Sequence, residues 1–202
     1  MPYRDLREYL EVLEKKGLLC HIQAEVDKDW EISAVCRNTF QRIPQNRRPA
    51  LMFDRIKNHS MPLVIGILGG SRRIYATALE TDIEGVLDKW ESGAKRPLKA
   101  ELVEKGLCQE VIHNGEDADL EMLPAPVWSV AHDPSPYHTS PLVISRDPET
   151  RIQNMGVYRV QVKGPRRGGL MINPPRNMNH HIRKNESQGQ DTEVAIVFGT
   201  DP

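Results

Sequence analysis

The chain has 202 residues, 39% hydrophobic and 27% charged, with a formal net charge of -1, enough for one or two domains with a buried core. That charge gives no electrostatic case for nucleic-acid or membrane binding, and no apolar run approaches the ~18 residues that span a bilayer. The 3 cysteines, Cys20, Cys36 and Cys108, lack metal or disulfide spacing and fit free thiols in a reducing cytosol.

The opening, MPYRDLREYLEVLEKKG, is amphipathic and charged, unlike a signal peptide. Asp5 is the expected N-cap of a helix from Leu6 to Lys16, with Leu6, Tyr9, Leu10 and Leu13 on one face and Gly17 as its stop. Leu19 to Ile22 reads as a short strand. Asp29 opens a second helix that stops before Pro44. Ala50 to Phe53 and Pro62 to Leu68 read as strands, the second apolar enough to be covered on both faces. Helices follow at Arg72 to Leu79 and Asp82 to Trp90. This alternation predicts an α/β layer domain.

Gly69-Gly70-Ser71-Arg72-Arg73 invites a phosphate-loop reading, glycines at a strand-to-helix junction followed by two arginines. It lacks both the GxGxxG and the Walker spacing. The plainer account is a tight turn with Ser71 as N-cap, which leaves the two arginines without an evident partner. Residues 91–107, charged and holding Gly93 and Pro97, read as a linker. Cys108 to His113 reads as a strand, and Asp117 to Pro126 as extended and proline-bounded. A domain change is placed near residue 115, giving an N-terminal unit of residues 1–113 and a second unit of 114–202. HDPSPYH, residues 132–138, tempts as a metal site. The plainer account is a structured loop in which His132 and His138 are hydrogen-bonded or exposed.

From Pro141 onward the pattern becomes consecutive strands. Leu142 to Ile144 form the first, and Asp147-Pro148-Glu149-Thr150 is turn chemistry. Val157 to Val162 form the next, stopped at Lys163-Gly164-Pro165, and Gly168-Gly169 leads into Leu170 to Ile172. A helix start follows, with Asn177 or Asn179 as its cap, and Val194 to Phe198 is a last strand. Asn154, Arg159, Gln161, His180 and His181 are groups that a plain sheet does not need.

The order and spacing of these groups resemble the UbiD family of reversible decarboxylases. The carriers are NxxxxR from Asn154 to Arg159, the Gly-Leu strand after it, and His181-Ile182-Arg183. The opening Met1 to Leu10 and Pro49 to Phe53 are similar as well. The resemblance implies an α+β fold: the N-terminal α/β layer domain, then the first strands of a split β-barrel resembling flavin reductases. It implies prenylated FMN as cofactor, lined by Asn154, Met155, Gly156, Val157, Tyr158 and Arg159 with His180 and His181. It further implies Asn154 and His181 as ligands of Mn²⁺, with K⁺ as a second ion, and Arg159 as the catalytic group facing the substrate carboxylate.

The donor types suit that expectation. An Asn carbonyl and a His nitrogen accept a borderline-hard ion when phosphate and carboxylate oxygens complete the shell. A guanidinium in a cofactor cleft grips a carboxylate in a bidentate pair and stays charged. Taken singly, each residue has a plain structural role available; at family spacing they argue together. Asn154 and Arg159 stand five apart, on opposite faces of a regular strand, so Gly156 is the expected site of a bulge if both reach one cofactor.

The resemblance also implies a metal Glu and two acid/base carboxylates that these 202 residues do not match. Glu186 comes too early, Asp191 and Glu193 flank a strand start, and Asp201 is terminal. The expectation is therefore the N-terminal portion of a longer decarboxylase, inactive by itself. A non-catalytic remnant or a stand-alone flavin-binding module are the alternatives. The Met171-Ile172-Asn173-Pro174-Pro175 run and the His pair most resemble the branch of the family acting on hydroxybenzoate-type acids, which implies 4-hydroxybenzoate, vanillate, gallate or protocatechuate as substrate. A flavin prenyltransferase is implied as cofactor supplier, homo-oligomers as the full-length assembly, and the cytoplasm as location.

Overall fold

The computed structural model describes residues 3–98, 101–129 and 131–200. Of the segments discussed above, Met1, Pro2, residues 99–100 of the linker, Val130, Asp201 and Pro202 lie outside them.

Helix α1 (Leu6–Lys15) starts where its cap predicts, the Asp5 carboxylate accepting the Glu8 N–H at 3.0 Å. Its buried face carries Tyr9 and Leu13. Gly17, at φ 64°, takes the left-handed turn that ends it. Strands β1 (Leu19–Ile22), β2 (Ala50–Phe53) and β3 (Leu63–Ile65) form a sheet in that order, β1 parallel to β2 and β2 antiparallel to β3.

Alternation along β2 divides the core. Ala50 joins Tyr9, Leu13 and Leu18 with Ile74 and Ala78 of α3 (Arg72–Ala78). Leu51 and Phe53 pack against Ile32 and Cys36 of α2 (Glu31–Arg42). Helices thus cover both faces of one small sheet, as the period-2 and period-3.6 patterns require. The Tyr9 hydroxyl donates to the Ile67 carbonyl at 2.6 Å, which satisfies the polar end of a fully buried ring.

Several expected elements shift. Helix α2 begins at Glu31, not Asp29, because Asp27 organises the entry: its carboxylate takes the Asp29 N–H, and its carbonyl takes the Glu31 N–H. The strand expected over 62–68 is cut to β3, since Gly66 turns away at φ 81°. It is a half-buried edge rather than a strand covered on both faces. Ser71 caps α3 by accepting the Ile74 N–H, and Arg73 donates to the Asn46 carbonyl, so the glycine turn takes its plainer form. Helix α4 is Val86–Lys95, later than predicted and reaching into the supposed linker; Asp82 holds the preceding turn through the Gly85 N–H. No strand forms over 108–113. A 3-10 turn at Leu107–Gln109 stands there, with Val111 and Ile112 exposed, because apolar residues without a partner strand have no ladder to join.

The second half is antiparallel. Strands β4 (Tyr137–His138), β5 (Leu142–Arg146), β6 (Gln153–Val157), β7 (Val160–Val162), β8 (Gly168–Leu170) and β9 (Val194–Val197) form two sheets, β6-β5-β9 and β4-β7-β8. Helix α5 (Asn177–Ser187) lays Met178 against Val143 and Tyr158, with Leu170, Ile182 and Ile196 around them. The molecule is a mixed α+β fold, and among the described residues its strands close no barrel. Among the described residues no helix is long and apolar enough to cross a membrane.

Candidate functional site

The hairpin β5–β6 and helix α5 build the first cluster. Asp147 sets the hairpin turn, its carboxylate accepting the N–H groups of Glu149 and Thr150 at 2.9 and 3.0 Å. In the resulting register Asn154 stands opposite Ser145, so both face the same side of the sheet. That side is covered by α5. The Ser145 hydroxyl lies 2.9 Å from Nδ1 of His181, and both side chains are buried. The Asn154 carbonyl oxygen accepts from Asn177 at 3.1 Å. Asn154 and His181 therefore sit on one layer interface, each reached through one intermediate residue. With Ser145 at Nδ1, Nε2 is the imidazole nitrogen left to coordinate.

Asn177 and Asn179 do not cap α5, contrary to expectation. Arg176 occupies the cap position without a side-chain bond, Asn177 is turned to Asn154, and Asn179 donates to the Pro174 carbonyl. Lys184 ties the helix to the hairpin, 2.8 Å from Asp147 and 2.7 Å from Glu149. Its ammonium, with the Thr150 N–H, holds the Asp147 carboxyl well below the usual carboxylate range, and the two carboxylates raise Lys184 in turn. An open cleft of about 890 Å³ adjoins the cluster, lined by Ser145, Gln153, Asn185, Asp191 and Glu193 among others.

Arg159 belongs to a second cluster. The long strand expected through it is broken. β6 ends at Val157 and β7 begins at Val160 in the other sheet, so Tyr158 and Arg159 form the link. The break falls there and not at Gly156, which stays in register opposite Val143. Gly156 is needed for another reason: a Cβ there would lie 2.9 Å from the buried Tyr158 ring. Arg159 donates through Nη2 to Asp133 at 3.0 Å, and its guanidinium lies 4.1 Å from the centre of the Tyr137 ring. Asp133 is only 12% exposed while Arg159 is 48% exposed, so the acid is the fixed partner. Burial opposes ionisation of Asp133, but the Arg159 guanidinium and the Ser129 N–H outweigh it and keep the pKa low.

The remaining predicted residues divide. Met155 and Val157 are exposed on the sheet face opposite Asn154, Tyr158 is buried, and His180 is exposed beside the buried His181. Among the described residues no group of three His, Cys, Asp or Glu is arranged to hold a metal. His132 is exposed as expected. His138 is neither exposed nor bonded: its Nε2 is buried without a partner, and its ring meets Phe198 edge-on at 4.6 Å. Ser145 and Tyr137 carry no signal of their own in the sequence; Asn177 stands out there only as a candidate helix cap, and Asp133 only within the HDPSPYH run.

Comparison with known proteins follows this geometry. Residues 10–92 match the family model of the 3-octaprenyl-4-hydroxybenzoate carboxy-lyase N-terminal domain, and residues 101–202 match that of the same enzyme's Rift-related domain. A phenolic acid decarboxylase from Streptomyces sp. (strain D7) is 34% identical over 216 residues, covering 100% of this chain and 44% of the relative. An evolved dimeric form of HmfF, a UbiD-class enzyme from Pelotomaculum thermopropionicum in complex with prFMN, superimposes with a TM-score of 0.87 at 34% identity over 99% of this chain and 45% of that one. The closed form of vanillic acid decarboxylase from Sedimentibacter hydroxybenzoicus gives 0.88 at 29% identity, over 99% of this chain and 44% of the other. The chain thus spans less than half the length of these relatives.

Proposed function

The chain belongs to the UbiD carboxy-lyase family, and from that premise we propose that it supplies part of the cofactor and metal site of a decarboxylase acting on an aromatic, hydroxybenzoate-type acid. The observation that supports this is the placement of Asn154 and His181 on the one interface of the β5–β6 hairpin with α5, Asn154 bonded to Asn177 of the helix and His181 to Ser145 of the hairpin, with Arg159 on the link that leaves that hairpin. Relatives that decarboxylate phenolic and vanillic acids, and one solved with prFMN, support the substrate and cofactor classes.

The donor set fits Mn²⁺. An amide oxygen has two lone pairs, so Asn154 can hold Asn177 and still present an acceptor. With Nδ1 engaged by the Ser145 hydroxyl, Nε2 of His181 is the nitrogen that would serve as ligand to a borderline ion. Prenylated FMN, when bound, supplies the electron sink for carbon–carbon cleavage. The chain's own share is positioning. Residues Asn154 to Arg159 would line the cofactor, His181 and Asn154 would hold the ion, and Arg159 would orient the substrate carboxylate. His180, exposed next to His181, would contact the cofactor rather than the metal. K⁺ as a second ion, a flavin prenyltransferase as supplier, homo-oligomers as assembly and a cytoplasmic site complete the proposal. So does a division into units of residues 1–113 and 114–202.

The test is expression of the 202-residue chain with and without the prenyltransferase, with Mn²⁺, followed by flavin absorbance and CO₂ release from 4-hydroxybenzoate, vanillate, gallate and protocatechuate. Two protein ligands hold an ion weakly, and a positioned proton donor is worth ~10²- to 10⁴-fold. The expected result is little retained cofactor and no turnover above an Arg159→Ala variant. Both should be gained when the chain is extended to the length of its relatives with their acidic residues. Turnover by the 202 residues alone would overturn the half-site reading. An extended protein that ignores Asn154→Ala and His181→Ala would overturn the metal assignment.

A further inference from the structure

We propose that Asp133 and Tyr137 are positioning residues for Arg159, a seat that holds its guanidinium open toward an aromatic carboxylate. This rests on the carboxylate-orienting role given to Arg159 above. The seat has two parts. The Asp133 carboxylate is fixed by the Ser129 N–H at 2.9 Å and takes Nη2 of Arg159 at 3.0 Å, while the Tyr137 ring lies beneath the guanidinium at 4.1 Å. Asp133 comes from the loop before β4 and Tyr137 from β4 itself, which pairs with β7 directly after Arg159. One edge and one face of the guanidinium are therefore occupied. Among the described residues its other donors have no protein acceptor, and the side chain is half exposed.

The argument is about order. A free arginine has four rotatable side-chain bonds, and fixing such a chain on binding weakens the complex by roughly two- to tenfold. Asp133 and Tyr137 impose that order beforehand. Asp133 also brings a negative charge near an incoming anion, which works the other way. That repulsion is screened because Arg159 is half exposed, so loss of order dominates and removal of Asp133 weakens carboxylate binding.

The experiment uses the whole chain, labelled with ¹⁵N-arginine, and follows the Arg159 Nε–H signal during titration with 4-hydroxybenzoate. Arg159→Lys assigns the peak. The wild type should show a rigid Nε–H that shifts on titration. Asp133→Ala should make it mobile and weaken binding roughly three- to tenfold. Asp133→Asn, which keeps an acceptor for the Ser129 N–H, should retain the fold and fall between. Tyr137→Phe should behave as wild type, and Tyr137→Leu should weaken binding. If the wild type shifts and Asp133→Ala and Asp133→Asn bind equally or more tightly, the seat is wrong while the role of Arg159 stands. If the wild-type signal ignores the ligand both in the 202-residue chain and in the extended protein, the carboxylate role of Arg159 fails and the seat fails with it.

Discussion

Cys36 lies on the buried face of α2 among Ile32, Leu51 and Phe53, and burial pushes its thiol up to about 12. At pH 8 only about 10⁻⁴ of it is thiolate, so it is inert while the fold holds. Cys20 and Cys108 are exposed. A thiol reagent added to the native protein is expected to modify those two quickly and Cys36 only on unfolding; fast modification of all three would mean that α2 opens readily. His138 makes a second residue-scale prediction. Burial lowers its pKa below 6.5, and its Nε2 has no partner. The unfolded chain binds this proton more readily, so stability is full above about pH 6.5 and is lost as pH falls through the lower folded value. His138→Leu should flatten the acid side of the denaturation midpoint below about pH 6.5, and an unchanged slope would show that burial of His138 does not contribute to it. The sequence shows three free thiols and does not separate the buried Cys36 from the exposed pair. It did not foretell the buried imidazole, which depends on Phe198, sixty residues away.

At the scale of elements, the turn at Asp147 is a local device and was readable from residues 147–150 alone. Its tie to α5 was not, since Lys184 reaches Asp147 only when helix and hairpin are packed. Asp147 is held far below its ordinary value, so the tie contributes above about pH 3.9 and is lost as pH falls toward the folded value. Lys184→Met should lower the urea midpoint at pH 7, by an amount that shrinks below about pH 3.9; a constant difference down to pH 2 would assign the effect to packing. The strand break beyond Val157 teaches the same lesson. Parity showed that Asn154 and Arg159 cannot share a regular strand, and Gly156 was the obvious weak point. The chain instead changes sheets at Tyr158–Arg159, because Tyr158 turns inward against Val143 and Met178. Gly156→Ala is expected to press on that ring and destabilise by about 1–3 kcal/mol, measured by thermal unfolding. No loss would mean that the ring moves aside freely.

For the whole molecule, the helix and strand alternation of residues 1–90 was visible as period, and the antiparallel run after Pro141 as turns. The region between was misjudged in both directions, α4 extending into it and the strand at 108–113 failing to form. Isolated apolar residues there, such as Leu98, Leu102 and Val103, stay exposed, and periodicity alone does not say whether a partner exists. Segment 96–106 has no helix or strand among its described residues and carries a trypsin site at Lys105, whereas Pro97 blocks cleavage after Arg96. Limited trypsin digestion should cut near Lys105 and leave a protected N-terminal piece, as the proposed division at residue 113 requires; rapid loss of that piece would defeat it. The two products should nevertheless travel together. Trp128 packs against the Phe53 and Ile32 core of the first unit while its indole N–H donates to the Tyr137 carbonyl of the second, at 2.9 Å. Full burial of a large apolar side chain contributes about 1.5–3 kcal/mol, the half-buried Trp128 ring supplies a part of that, and His59 adds a polar contact to the Met122 carbonyl across the same junction. Nicked wild type is therefore expected to elute as one species on gel filtration, and nicked Trp128→Ala to separate. If nicked wild type separates as well, the indole does not join the units.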